Sequence, residues 1–591
     1  MALFTPSESP AVVVKEVDLT GGVPNVQSST GAFVGNFRWG PARKATLVSS
    51  ETDLAEKFGS PNSTTNIDFL SANQYLKYSS SLYVVREVTS AAKNACADQS
   101  SLAEPTLVRD RDHYDTLTFG ADSSDLQVGM FFARCPGTLG NSLSVEVVTA
   151  NISSFTSWTH SSSFDRAPGT SDYVLFRGGT NDEIHVVVLD KDGEFTGTVN
   201  AVLETFPHVS LASDAKNDDG TSNYVKDVIN DRSRYIFFGT FEQDVDSDGI
   251  TDGTAIITNA GSTAKGTEFA AGNTAVILKP FAGGVDSGTL TPAEYGVATT
   301  GQGFDLFADK NNIQVDFLIA PGMASSSDQI SVVNDMVVTA GTTRKDCVVI
   351  ASPARNDIVS SATPNASAIT TAGSFASSSY LIVDNNYLKV YDKFTDRFVF
   401  IPAASSTAGI MAATDNNAAP WYSPAGSRRG AYLGITSLAY NPTKAERDSL
   451  YRANVNPISN IPGQGVLLFG DKTHLLRPSA FDRINVRRLF LVLERAIELA
   501  GRNVMFEFND EFTRAEFVNI VEPVLREVKG RRGITDFKVV CDDTNNTAAV
   551  IDRNEFIASI FIKPARSINY VTLNFVAVRT GVEFEEVVGT V

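Results

Sequence analysis

Val315-Asp316-Phe317-Leu318-Ile319-Ala320 is an apolar run interrupted by a single carboxylate, and the chain repeats the type. Gly31-Ala32-Phe33-Val34-Gly35, Leu82-Tyr83-Val84-Val85-Arg86-Glu87-Val88 and Asp346-Cys347-Val348-Val349-Ile350-Ala351 are built the same way. Strands apolar on both faces need cover on both faces, which is the condition of a parallel sheet flanked by helices. Helical texture separates them: one helix near residues 68 to 79, one around 292 to 308, and a further one ending near Gly341. The expectation is an open, largely parallel α/β sheet forming a discontinuous middle domain, residues 23–90 and 285–462.

Between these two parts the texture changes. Residues 91–284 are rich in Ser, Thr, Gly and Asp, with short strands such as Ser144-Val145-Glu146-Val147-Val148 and Ile184-His185-Val186-Val187-Val188-Leu189. This segment is expected to be a β-rich peripheral domain inserted into the α/β one, with its two ends close in space and the α/β fold able to form without it. It also holds most of the negative charge: 27 acidic against 13 basic residues.

Downstream, Gly465-Val466-Leu467-Leu468-Phe469 reads as a short buried strand leading to a helix over 483–500. Val486, Leu489, Phe490, Leu493 and Ile497 repeat at helical spacing and define its apolar face, leaving Arg487, Arg488 and Arg495 away from the centre. A second amphipathic helix is expected from about Asp510 to Lys529, closing on Gly530-Arg531-Arg532-Gly533, followed by strands over 556–562 and 570–578. These make an α+β C-terminal domain, residues 463–580. At either end lies an arm, residues 1–22 and 581–591. In the first, Val12-Val13-Val14-Lys15-Glu16-Val17 is a β-prone run isolated by Gly21-Gly22-Val23-Pro24.

The 591 residues are too many for one core and imply several domains. A net charge of −19 argues against a general nucleic-acid binder, since phosphate contact needs a surplus of lysine and arginine. No apolar run is long enough to cross a bilayer, and the N-terminus lacks the features of a secretion signal, so assembly in a cytoplasm is expected. Cys96, Cys135, Cys347 and Cys541 stand far apart and read as buried reduced thiols.

No catalytic constellation assembles from the sequence. His113, His160, His185, His208 and His474 show no metal-ligand spacing. Gly463 to Thr473 evokes a phosphate-binding loop, but Asp471 separates the glycine from Lys472 and the would-be cradle is Val-Leu-Leu-Phe, so strand and turn is preferred. Asp244, Asp246, Asp248 and Asp252, with Gly249, match the start of a calcium loop; the twelfth position is Ala255 instead of glutamate, which favours an acidic surface turn. No other cofactor is implied. The remaining concentrated feature is basic: Arg483, Arg487, Arg488, Arg495, Lys529, Arg531 and Arg532.

Several separated segments carry a resemblance. Phe481-Asp482-Arg483-Ile484-Asn485-Val486-Arg487-Arg488-Leu489-Phe490, Cys541-Asp542-Asp543-Thr544-Asn545-Asn546-Thr547, Ile551-Asp552-Arg553-Asn554-Glu555-Phe556 and residues 564–575 resemble the C-terminal domain of contractile-tail bacteriophage tail sheath proteins. Phe37-Arg38-Trp39-Gly40-Pro41-Ala42, Phe58-Gly59-Ser60-Pro61 and Trp421-Tyr422-Ser423-Pro424-Ala425-Gly426 extend it, and it fades between about Ala91 and Gly284. The resemblance implies a structural virion protein, not an enzyme: six-fold rings of this chain stacked helically around a tail tube, contracting to drive the tube through the host envelope and deliver the genome. It further implies contacts with tube, baseplate and tail terminator, without nucleic-acid binding or membrane insertion. Terminal arms would be exchanged between subunits, through Val12, Val13, Val14 and Val17 at one end and Val582, Phe584 and Val587 at the other. The basic cluster would face the tube. Rival readings are the sheath of a phage-like injection or secretion device, and a calcium-stabilised hydrolase.

Overall fold

The computed structural model describes residues 29–97, 105–119, 126, 128–243, 254–255, 257–269 and 274–569. The described chain falls into two compact units, one of residues 29–420 and 424–487, the other of residues 421–423 and 488–569. The calcium-like aspartates, residues 244–252, and both terminal arms lie outside the described residues.

The first unit is organised by a six-stranded sheet in the order Leu381–Val383, Val348–Ala351, Phe317–Ile319, Gly31–Gly35, Leu82–Arg86, Thr46–Val48. The first five run parallel and the last is antiparallel. The chain starts at Gly31 in the middle, winds to one edge, and after the insert winds from Phe317 to the other. Every residue of Gly31–Gly35, Phe317–Ile319 and Val348–Ala351 is buried, as expected of strands covered on both faces. Gly31 is required by its neighbour: a Cβ there would sit 2.9 Å from the Tyr75 ring of the helix Asn66–Leu76.

Two helices differ from expectation. Residues 292–308 form turns and one short 3-10 stretch, Gly303–Phe307, because Gly296, Ala298, Gly301 and Gly303 all adopt positive φ, which no helix can contain. The helix expected to end near Gly341 is Ser326–Val338, and it continues as a π-helical turn, Thr339–Arg344. The wider turn carries Arg344 inward, where its guanidinium donates to the carbonyls of Phe307 and Ile313 and pairs with Asp346 at 2.9 Å.

The insert is β-rich. Ile277–Pro280, Leu143–Thr149, Glu183–Asp190 and Ala201–Ser210 form an antiparallel sheet in that order, beside the short pair Phe131–Ala133 and Ile236–Phe238. Its entry and exit are clasped: Lys93 and Val285 exchange two backbone hydrogen bonds, each 3.0 Å. It is also bolted to the sheet's end. Trp39 packs in the insert's core against Phe195, ring centroids 5.0 Å apart. Arg86, the last residue of its strand and fully buried, donates to the carbonyls of Phe37 at 2.7 Å and Gly40 at 2.8 Å and to that of Pro136 within the insert. Burial lowers its guanidinium to about 10. The shared core and this staple tell against an insert that the α/β fold can simply do without.

In the second unit the helix Glu511–Gly530 is capped by Asp510, whose carboxylate accepts from the Thr513 N–H at 2.8 Å. Phe517, Val521, Leu525 and Val528 form its buried stripe. Beyond it, Ile534–Val540 and Ser559–Pro564 pair as an antiparallel hairpin. The helix Ile484–Asn503 begins in the first unit and ends in the second, so the division falls at residues 487 and 488 instead of 463. The short strand expected here forms as Gly465–Leu468, paired with Ile458–Ile461 in the first unit, and only its second half is buried.

Candidate assembly surfaces

The basic cluster separates into two kinds of residue. Arg483 pairs with the buried Asp471 at 2.9 Å and donates to the Tyr451 hydroxyl. Arg487 is 7% exposed, stacked between the rings of Phe481 and Tyr380 at 4.1 and 4.3 Å and bonded to Ser379 Oγ at 2.8 Å. Arg488 is 4% exposed. The expectation that Arg487 and Arg488 lie away from the packed face is therefore corrected. An arginine stem is long enough to cover apolar surface while its planar head stacks on rings, and helical spacing alone does not reveal this.

The others reach the surface. Arg495 is half-buried, and Lys529, Arg531 and Arg532 are exposed. Lys529 holds Asp536 at 2.9 Å, keeping that carboxyl below its ordinary value. Arg531 reaches Glu527 at 3.4 Å and lies 5.1 Å over the Trp421 ring. The turn from Gly530 to Gly533 is a constructed feature: the carbonyl of Arg531 accepts from Trp421 Nε1 at 3.1 Å and from the Tyr422 hydroxyl at 3.2 Å. Arg532 takes positive φ, and a Cβ on Gly533 would stand 2.6 Å from Val528 and 3.0 Å from Trp421. Two sequence motifs more than a hundred positions apart thus form one clasp.

The second unit also exposes what the sequence reading did not single out. Phe506, Phe508 and Phe512 are 100%, 84% and 78% exposed, and Met505, Phe561 and Ile568 join them above half. Phe506 and Phe508 fall in the loop between the helices Ile484–Asn503 and Glu511–Gly530. Exposed aromatics in such number make this stretch a candidate contact surface. The hairpin has the same character. Among the described residues it pairs with no third strand, and its apolar side chains Phe537, Val539, Val540, Ile560 and Ile562 are only half-buried.

The thiols and histidines show no catalytic arrangement among the described residues. Cys96, Cys135 and Cys347 are free and buried, and Cys541 is half-buried. Among the described residues no group of three or more His, Cys, Asp or Glu is placed to hold a metal ion, and no helix is long and apolar enough to cross a membrane.

Comparison with known proteins agrees with this picture of a subunit made for assembly. Residues 297–474 match the phage tail sheath protein central domain, residues 477–577 the phage tail sheath C-terminal domain, and residues 29–86 the domain III N-terminal region of tail sheath protein Gp18. These are structural virion proteins, not enzymes. The tail sheath protein of Vibrio phage KVP40 is 30% identical, over 98% of this chain and 99% of that one. The tail sheath protein of Enterobacteria phage T4 is likewise 30% identical, with the same two coverages. The chain belongs to the phage tail sheath protein family. In fold, it is similar to the sheath tail protein of Listeria innocua, with a TM-score of 0.51 at 12% identity over 92% of this chain and 97% of that one. The family models leave the insert unmatched, where the sequence resemblance also fades.

Proposed function

We propose that this chain is the subunit of a contractile tail sheath, polymerising as stacked six-fold rings around a tail tube in the virion and contracting to drive the tube through the host envelope for genome delivery. The observation that carries this reading is the second unit's two-stranded hairpin, which lacks a third strand among the described residues and leaves its apolar side chains half in water. An isolated two-stranded sheet is marginal in water, and strand addition from another subunit would complete it through backbone hydrogen bonds alone. The arms, residues 1–22 and 581–591, would supply those strands, flexing at Gly21-Gly22 and Gly581 so that connectivity outlasts contraction. In this reading the second unit faces the tube, the α/β sheet forms the middle layer, and the insert of residues 91–284 points outward.

The tube contact is drawn from Arg495, Lys529, Arg531 and Arg532, while Arg483, Arg487 and Arg488 brace the fold. Exposed ion pairs worth about 0.2 to 1 kcal/mol each suit a contact that holds by number and releases on contraction. Baseplate and tail terminator would bound the polymer, and assembly would take place in the host cytoplasm. Energy comes from the lattice: a few kcal/mol gained per subunit, multiplied along a helical stack, needs no nucleotide.

Deleting residues 1–20 tests the exchange. The truncated protein is expected to remain folded and soluble yet form no tubes by negative-stain microscopy. Tubes of normal appearance would remove the strand-exchange reading.

A further inference from the structure

The insert contains a cleft of about 590 Å³, open to the surface and lined by insert residues alone. Its floor is the strand Ala201–Ser210, on which Thr205 and Pro207 are exposed; its walls are the segment around Arg166 to Tyr173 and the loop around Lys216 to Asn223. The size is that of an ordinary small-molecule site.

The polar wall is rigidly built. Glu183 holds Arg166 in a two-pronged pair at 2.6 and 2.8 Å and accepts from the Gly169 N–H at 2.9 Å. Burial works to raise this carboxyl, but the Arg166 fork and the Gly169 N–H outweigh it and hold it below the ordinary value. The pairing of the Glu183 and Ala201 strands shifts register between Ile184 and Val186, and His208 in the resulting irregularity adopts φ +52. Positive φ in a residue with a side chain is costly and persists where surroundings enforce it, often beside functional sites. Here it lets the His208 N–H donate to His185 Nδ1 at 3.1 Å, which makes His185 the Nε2–H tautomer, donating to the Arg166 carbonyl at 2.9 Å. The His208 ring is thereby set between Asp165 at 2.8 Å and Glu183 at 3.4 Å.

The chemistry of the lining selects a ligand class. Three basic side chains, Arg166, Lys216 and Arg232, face four acidic ones, Asp172, Glu183, Glu204 and Asp218, so neither an anion nor a cation meets a surface of opposite sign. The lining offers both donors, such as Arg166, Lys216 and Arg232, and acceptors, such as Asp172, Glu204 and Asp218, which suits hydroxyl groups, since each both gives and takes a hydrogen bond. Tyr173 lines the cleft as its aromatic side chain on this wall, fixed by the Arg177 guanidinium 3.4 Å from its ring centroid. We propose that this cleft binds a short neutral oligosaccharide. The proposal is independent of the sheath reading.

Saturation-transfer NMR on the full-length protein tests it, with maltopentaose, cellopentaose and the N-acetylglucosamine pentamer as neutral probes and sialyllactose and inorganic phosphate as anionic ones. At least one neutral probe is expected to bind. That signal should vanish in Thr205→Trp, which fills the cleft from an exposed strand position, and weaken at least about tenfold in Tyr173→Ala. Lys216→Trp closes the cleft from the opposite wall and replaces Thr205→Trp if that variant does not fold. Silence from all three neutral probes, binding of the anionic probes alone, or a signal undiminished by the blocking tryptophan would overturn the proposal.

Discussion

Three ionisable groups of the first unit are wholly enclosed, whereas three phenylalanines close together in the second unit's sequence are exposed. At the carboxyl end of the parallel sheet Asp384, wholly buried, accepts from Ser352 Oγ at 2.8 Å and Thr407 Oγ1 at 3.1 Å. Glu87, also buried, accepts from the Gly303 N–H at 2.7 Å, and Arg86 is satisfied entirely by carbonyls. In the second unit Phe506, Phe508 and Phe512 stand in water. Burying such groups is tolerated where their partners are fixed, and these three find theirs within the first unit's own chain. Exposed rings in such number are expected of a surface that a partner covers.

The contrast is broken most sharply at Arg86. Arg86→Met leaves the carbonyls of Phe37, Gly40 and Pro136 without their donor, and should destabilise the first unit by on the order of 4 kcal/mol. Thermal unfolding of the full chain would show this as a fall in the first unit's transition; an unchanged transition would mean that the buried charge is not structural.

Asp384 offers a pH test. Burial, only partly offset by its hydroxyl partners, raises its carboxyl from an ordinary 3.8 to about 7. The folded state then holds this proton more tightly than the unfolded chain, so its contribution to stability is greatest below pH 4 and is lost as pH rises through about 7. Asp384→Asn removes the titration. The difference between wild type and variant should shift by on the order of 3 kcal/mol between pH 5 and pH 8, in the variant's favour at the higher pH. A pH-independent difference would show that Asp384 ionises as freely as a surface carboxylate.

Phe508→Ser should behave oppositely. Removing an exposed ring costs the isolated subunit less than about 0.5 kcal/mol, yet tube formation should fail. A large loss of monomer stability would instead place Phe508 in a core.

The smallest effect is expected from Arg531→Glu, since exposed pairs contribute about 0.2 to 1 kcal/mol. Assembly on purified tubes should weaken across a salt series and in this variant. Assembly indifferent to both would leave tube recognition to other residues.

Much of the first unit could be read from the sequence because its strands carry a plain physical signal. Phe317-Leu318-Ile319 and Val348-Val349-Ile350 are apolar on both faces, and only a covered parallel sheet accepts that. The π-helical turn and the irregular 292–308 stretch were hidden, since they depend on where Arg344 finds its carbonyls and on glycine conformations fixed by packing. Arg487 and Arg488 misled for a related reason: helical periodicity ranks them polar, while the rings of Phe481 and Tyr380 that bury Arg487 come from other elements. The exposed phenylalanines were visible as letters, but exposure is a property of the assembled fold.

The clasp of Trp421 and Tyr422 on the turn at Gly530 to Gly533 also sets an order of events on the ribosome. Trp421 emerges 112 positions before Gly533, and at typical synthesis speeds it waits roughly 6 to 22 s for the turn that it closes. Through that interval the Arg531 carbonyl that will accept from its Nε1 has not yet been made. A gene cut at residue 488 therefore encodes the turn without the ring that closes it.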